Sequence, residues 1–172
     1  MAHQGNESVG GALKVKVQML PTGPDVTFKI EHEFTLGDVL RKAAEELHEQ
    51  LYPNATHPSD HLRNQIPGAD EFGPPLHLDE LVGEFLRRPG TTNHFGIELV
   101  LSIRVNARWA IATAESMTPK QILGLPHINL NPDEYTLYKE GSSEILPLDT
   151  PIKLHRGEKF DAQKDGKYGG GR

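Results

Sequence analysis

The sequence predicts an α+β protein built from two successive small domains, on three observations. Two runs near the start alternate apolar and polar residues: Leu13, Val15, Val17 and Met19, then Val26, Phe28 and Ile30. Directly after them the apolar period lengthens to that of a helix, with Leu36, Val39, Leu40, Ala43, Ala44 and Leu47 on one face. The same order, hairpin then helix, recurs from Ile97 onward. A period of two marks a half-buried strand and a period of 3.6 an amphipathic helix. The 172 residues have room for one ordinary domain or two small ones.

Residues 1–11 are polar and contain Gly5, Gly10 and Gly11, so they read as a mobile N-terminal arm with no signal-peptide character. The first two strands flank Pro21-Thr22-Gly23-Pro24-Asp25, which is turn material. Thr35 stands where an N-cap belongs, and Asp38 three residues on completes a capping box for the following helix. Strand, strand, capped helix is how a β-grasp fold opens, an opening it shares with other α+β folds. Residues 53–75 hold five prolines and little periodicity, and are expected to form a long loop. Leu78, Leu81, Val82, Phe85 and Leu86 predict a second helix over 78–88, ended by Pro89-Gly90.

Phe95, Ile97, Leu99, Leu101, Ile103 and Val105 share one parity without a break. A strand that long either closes one sheet and opens the next or runs through a single larger sheet. Asn106-Ala107-Arg108 is expected to turn the chain, and Trp109 and Ile111 to return into the core. Thr118-Pro119-Lys120-Gln121 combines an N-cap, a proline at the first helical position and a capping-box glutamine, opening a short helix with Ile122, Leu123 and Leu125. Further strands are expected at Tyr135 and Leu137, at Ile145 and Leu148, and through Ile152, Leu154 and Phe160. The expected boundaries are thus 12–98 for the first domain, 99–163 for the second and 164–172 for a flexible tail.

Composition excludes several functions. The net charge of −6 argues against general nucleic-acid binding, which needs a basic face. No apolar run approaches the ~20 residues that span a bilayer, so a cytoplasmic location is expected. The chain has no cysteine, hence no disulfide, thiolate metal ligand or thioester of its own. His57-Pro58-Ser59-Asp60-His61 spaces two histidines as a helical zinc site would, but Pro58 interrupts the helix, and solvated loop histidines are expected. No nucleophile elbow and no phosphate-binding glycine loop is present, so neither catalysis nor a bound cofactor is expected. Glu45-Glu46 and Arg87-Arg88 read as solvent-facing charge, while Tyr138, Lys153 and His155 fall on the parity opposite the core and could meet a partner.

Residues 101–160 resemble a bacterial multiubiquitin-type β-grasp domain. The resemblance is carried by Ser102-Ile103-Arg104-Val105-Asn106, Gln121-Ile122-Leu123-Gly124-Leu125, Glu134-Tyr135-Thr136-Leu137-Tyr138, Leu148-Asp149 and Leu154 to Phe160. The first half is similar to a ubiquitin-like domain through residues 13–51 and departs from it at the helix 78–88 and the long loop, making it atypical. Two such domains followed by Lys167-Tyr168-Gly169-Gly170-Gly171-Arg172 resemble the interferon-induced tandem ubiquitin-like modifier and its bacterial counterparts in anti-phage operons. The resemblance implies a non-enzymatic protein modifier. A JAMM-type metalloprotease would remove Arg172, and an activating enzyme would use ATP to adenylate Gly171 and take it as a thioester. A conjugating enzyme would then deliver it to target lysines. Glycine suits an end threaded through a narrow channel, because without a Cβ it allows close backbone approach. Lys167 and Tyr168, with Gly169 and Gly170 beyond them, stand where a partner could grip that end, for instance by strand addition. Two alternatives keep the fold and change the chemistry: a sulfur carrier with a terminal thiocarboxylate, and a binding module that never conjugates.

Overall fold

Strand β1 (Ala12–Met19) pairs antiparallel with β2 (Asp25–Glu31), burying Val15 and Val17 against Phe28 and Ile30. These coordinates, a computed structural model, describe residues 11–53 and 57–165. Helix α1 (Leu36–Glu46) follows, and its start carries the capping box read from the sequence. The Asp38 N–H donates to Thr35 Oγ1 at 3.2 Å, and the Thr35 N–H donates to Asp38 Oδ2 at 2.8 Å. Its next two amides, orphans in an isolated helix, donate to carbonyls from a distant segment: Leu36 to Glu80 at 2.9 Å and Gly37 to Leu78 at 2.7 Å.

The first unit is completed by β3 (His61–Gln65), β4 (Phe72–Pro75), helix α2 (Val82–Leu86) and β5 (His94–Glu98). Its five strands lie in the order β2-β1-β5-β3-β4, with β5 parallel to β1 and antiparallel to β3. The expected long loop over 53–75 is therefore corrected: two strands occupy much of it. They escape the pattern because only Leu62 of β3 is buried, leaving nothing to alternate with. Pro74 and Pro75 fit because β4 is an edge strand, where a missing N–H costs no ladder bond. The helix expected over 78–88 shrinks to five residues, since the Leu78 and Glu80 carbonyls serve α1 instead of a helix of their own.

The parity run from Phe95 to Val105 breaks after Glu98. Strand β6 (Ser102–Val105) belongs to a second sheet with β7 (Arg108–Ile111), β9 (Tyr135–Lys139), β10 (Ile145–Leu146) and β12 (Glu158–Lys164). Between them come a two-stranded ribbon of β8 (Ser116–Met117) with β11 (Ile152–Lys153), and helix α3 (Pro119–Leu123), capped by Thr118 and Gln121 as the sequence indicates. The five-stranded order is β10-β9-β12-β6-β7, with β12 parallel to β6. Counted within each five-stranded sheet, and with the second read from β7 to β10, both run second, first, fifth, third, fourth. Residues 11–49 and 57–99 form the first compact unit, and residues 50–53 with 100–165 the second. The fold is α+β with two mixed sheets and few helices.

The second core gathers Ile103, Val105, Ala110, Met117, Ile122, Leu123, Leu125, Ile128, Leu137, Leu154, Phe160 and Ala162. Trp109 is not among them, which corrects the expectation. Val105 pairs with Arg108, so the turn has two residues rather than three. A one-residue change of register exchanges the faces of a strand. Ala110 therefore packs opposite Ile103, and Trp109 and Ile111 lie half-buried on the outer face. The strand expected through Ile152, Leu154 and Phe160 is likewise two elements, β11 and β12.

Ser102 has the outward parity yet is wholly buried, and its hydroxyl has no hydrogen-bond partner among the described residues. Burying an unpaired hydroxyl costs about 1–3 kcal/mol. Ser102→Ala is expected to leave stability unchanged or raise it by about 1 kcal/mol in chemical denaturation. Leu137→Ala, which opens a cavity in the core, should lower it by about 2–5 kcal/mol.

Candidate functional site

The residues expected to act, Lys167, Tyr168, Gly169, Gly170, Gly171 and Arg172, lie outside the described residues. The structure does describe the strand that leads to them. Strand β12 runs between β6 and β9 in the middle of the second sheet, and its last residues follow Phe160, whose side chain is in the core. It continues to Lys164, beyond the point where the apolar pattern stops.

How β12 is held past Phe160 depends on one side chain. Glu158, Lys159 and Phe160 pair with Ile103, Arg104 and Val105, where β6 ends. Asn106 then takes over the ladder. Its backbone N–H donates to the Phe160 carbonyl at 2.9 Å, and its side-chain Nδ2 donates to the Ala162 carbonyl at 3.2 Å. The Ala162 N–H donates to Asn106 Oδ1 at 2.9 Å. One edge of a carboxamide presents an N–H donor beside a C=O acceptor, as a peptide group does, so Asn106 extends β6 by one rung with its side chain. Its φ of +56° lies in the left-handed region, where asparagine is among the few tolerated residues.

On the other side, β9 pairs with β12 from Phe160 through Lys164. One residue further, the Asp165 N–H donates to the Glu134 carbonyl at 2.7 Å, and the Thr136 hydroxyl donates to Asp165 Oδ1 at 2.6 Å. The turn before β9 is itself fixed, with the Asp133 N–H donating to Asn131 Oδ1 at 2.9 Å. The main chain is thus fastened up to Asp165. Sequence reasoning took Asn106 for plain turn material and Asp165 for tail. Asparagine at a two-residue turn was the available signal, but its partner lies 56 positions away.

The outer face of the second sheet carries Trp109, Arg104 and Lys159 in one cross-strand row and Ile145, Tyr138 and Asp161 in another. Ile145 is the most exposed large hydrophobic side chain among the described residues, at 58%. Arg104 is tied to Glu140 at 2.8 Å, and Lys139 to Glu158 at 3.4 Å. Lys153 and His155 are exposed, but Lys153 belongs to the separate β8–β11 ribbon, so the structure does not bring them onto the sheet face of Tyr138.

The histidine pair falls at the entry to β3. The His57 N–H donates to Asp60 Oδ2 at 2.8 Å, the Ser59 N–H donates to His57 Nδ1 at 3.0 Å, and His61 Nδ1 lies 3.6 Å from Glu98. Among the described residues no three His, Asp or Glu side chains are grouped to hold a metal ion. No family model and no curated protein matches the chain.

Replacing Asn106 tests the anchorage directly. Asn106→Ala removes two hydrogen bonds at about 1 kcal/mol each and leaves a strained φ, for a loss of about 2–4 kcal/mol. Asn106→Gly relieves the φ strain alone and should recover roughly 1 kcal/mol of it. Amide exchange at Ala162 should quicken in both variants, more than the change in global stability explains.

Proposed function

We propose that this chain is a ubiquitin-like protein modifier made of two tandem β-grasp domains, activated through Gly171 once Arg172 is removed. The observation that carries the reading is the sheet order common to both units. In each, a hairpin precedes a helix, and the last strand inserts beside the first and parallel to it. That is the order of a β-grasp sheet. In the second unit, this inserted strand is the one that leads into Lys167-Tyr168-Gly169-Gly170-Gly171-Arg172.

The local physics supports the same reading. An acyl group offered to other enzymes is best carried on a narrow, unbranched lead projecting from a rigid base. Here the base is β12, bonded on both sides and fixed at its end by Asn106, Thr136 and Glu134. The lead consists of glycines, which fit a channel too narrow for side chains. The chain supplies no thiol, so activation to a thioester belongs to partner enzymes: an activating enzyme that consumes ATP and a conjugating enzyme that hands the acyl group to lysine amines. A JAMM-type metalloprotease would expose the Gly171 carboxylate. The outer face with Trp109, Tyr138 and Ile145 offers the apolar surface such partners could use. A cytoplasmic site and a role in anti-phage defence belong to the same proposal and rest on the family resemblance.

The experiment is intact-mass analysis of the protein before and after incubation with a JAMM-type metalloprotease. The expected result is loss of one arginine, followed by an ATP-dependent thioester on the activating enzyme. A chain ending at Gly171 should form the thioester without the protease, and a chain lacking residues 169–172 should form none. No thioester from the chain ending at Gly171 would refute conjugation and leave a β-grasp binding module.

A further inference from the structure

The first unit carries a cleft that the modifier chemistry does not use. It has a volume of about 480 Å³, within the range of ligand pockets. Strand β1, helix α2 and the segment before β5 form its walls. Leu13 and Leu86 contribute apolar surface, and Lys14, Arg87, His32 and Asn93 contribute polar groups. Among the described residues no aspartate or glutamate lines it, in a protein whose net charge is −6.

The charges around the cleft lack counter-charges, unlike others in this unit. Lys16 pairs with Asp25, Arg41 with Asp38, Lys42 with Glu46, Arg63 with Glu98 and Arg88 with Glu80. Lys14, Lys29 and Arg87 have no carboxylate partner among the described residues, and two of those three line the cleft. The third stands beside it, because Lys14 and Lys29 are direct cross-strand partners. Like charges directly opposite on a sheet destabilise it. Adjacent arginines also differ: Arg88 lies over the Phe85 ring and pairs with Glu80, while Arg87 turns into the cleft. The His32 side chain packs directly on Gly83, where a Cβ would come within 2.7 Å of Nδ1. Glycine inside a helix costs roughly 1 kcal/mol relative to alanine, and at Gly83 it makes room for the imidazole.

We propose that this cleft binds an acidic segment of a partner protein, a carboxylate meeting Lys14 and Arg87 while flanking apolar side chains rest on Leu13 and Leu86. Charge complementarity selects the anion, and the apolar surface selects a peptide over a free inorganic ion. The backbone points the same way. The Gly83 N–H is already committed to the His32 carbonyl at 3.0 Å, so it is not free to cradle a phosphate.

The test is a titration of the isotope-labelled full chain with an acetylated, amidated peptide, Leu-Glu-Glu-Leu, followed by amide chemical shifts. Shifts should centre on residues 13–14, 32, 83–87 and 91–93, and binding should weaken as salt rises. The double variant Lys14→Glu/Arg87→Glu should bind about tenfold or more weakly. Both residues are exposed, and Lys14→Glu replaces a repulsion with an attraction to Lys29, so the fold is retained. Lys153→Glu, the same charge change on the second unit, should bind as the unaltered chain does. Equal binding of the Leu-Gln-Gln-Leu peptide, an equal loss in Lys153→Glu, or displacement of the peptide by equimolar inorganic phosphate would each overturn the proposal.

Discussion

Each unit depends on its last strand reaching back to lie beside its first. Strand β5 inserts between β1 and β3, and β12 between β6 and β9. Without that insertion each unit would hold two separate hairpin-like pieces, and a lone two-stranded piece is marginal in water. The insertion brings Phe95 and Ile97 into one core and Phe160 and Ala162 into the other, where all four are nearly inaccessible to solvent. Apolar side chains that close each core, Phe95, Ile97 and Phe160 the largest of them, thus arrive on the strand made last. Hydrophobic burial of that kind supplies most of the driving force for folding.

Both inserted strands rely on an asparagine side chain for backbone-like bonds. Asn106 brackets Ala162 near the end of β12. Asn64 brackets Thr92 just before β5, its Nδ2 donating to the Thr92 carbonyl at 2.8 Å while the Thr92 N–H donates to Oδ1 at 3.0 Å. A central strand has neighbours on both sides, and where a neighbour stops short its polar groups need another partner. A carboxamide answers that need within the reach of one side chain. Two residues 42 positions apart solve the same problem in different units, at opposite ends of their strands.

What the sequence revealed follows from how far each signal reaches. The two capping boxes, Thr35 with Asp38 and Thr118 with Gln121, were readable because cap and partner are three residues apart. The hairpin β1–β2 and helix α1 were readable because one side of each is fully apolar. Strands β3 and β4 were not, because Leu62 is their only buried side chain. The facing of Trp109 was misjudged by one residue of turn length, which no local pattern distinguishes. Around the candidate site, the glycine lead was plain in the sequence, but its anchorage by Asn106 and Asp165 was not, since those bonds span 56 and roughly 30 positions. The cleft at Lys14 and Arg87 was also hidden: in sequence, Arg87-Arg88 is a pair of equivalent charges, and only folding sends Arg88 to Glu80 and Arg87 to the cleft.

The placement of β12 also sets an order of events during synthesis. A sheet whose middle strand is encoded last stays open until that strand has left the ribosome, and domains tend to fold as units as they emerge. The first unit has all its strands once Glu98 is free, whereas the second waits for Lys164. Until then its Ile103, Val105 and Leu137 have no central strand to cover them, and the nascent chain is exposed to chaperones and proteases. A chain broken off before β12 therefore never closes the second sheet. Burial of the second core is thereby tied to the strand made last in its sheet, so a chain cut short before β12 leaves that core uncovered.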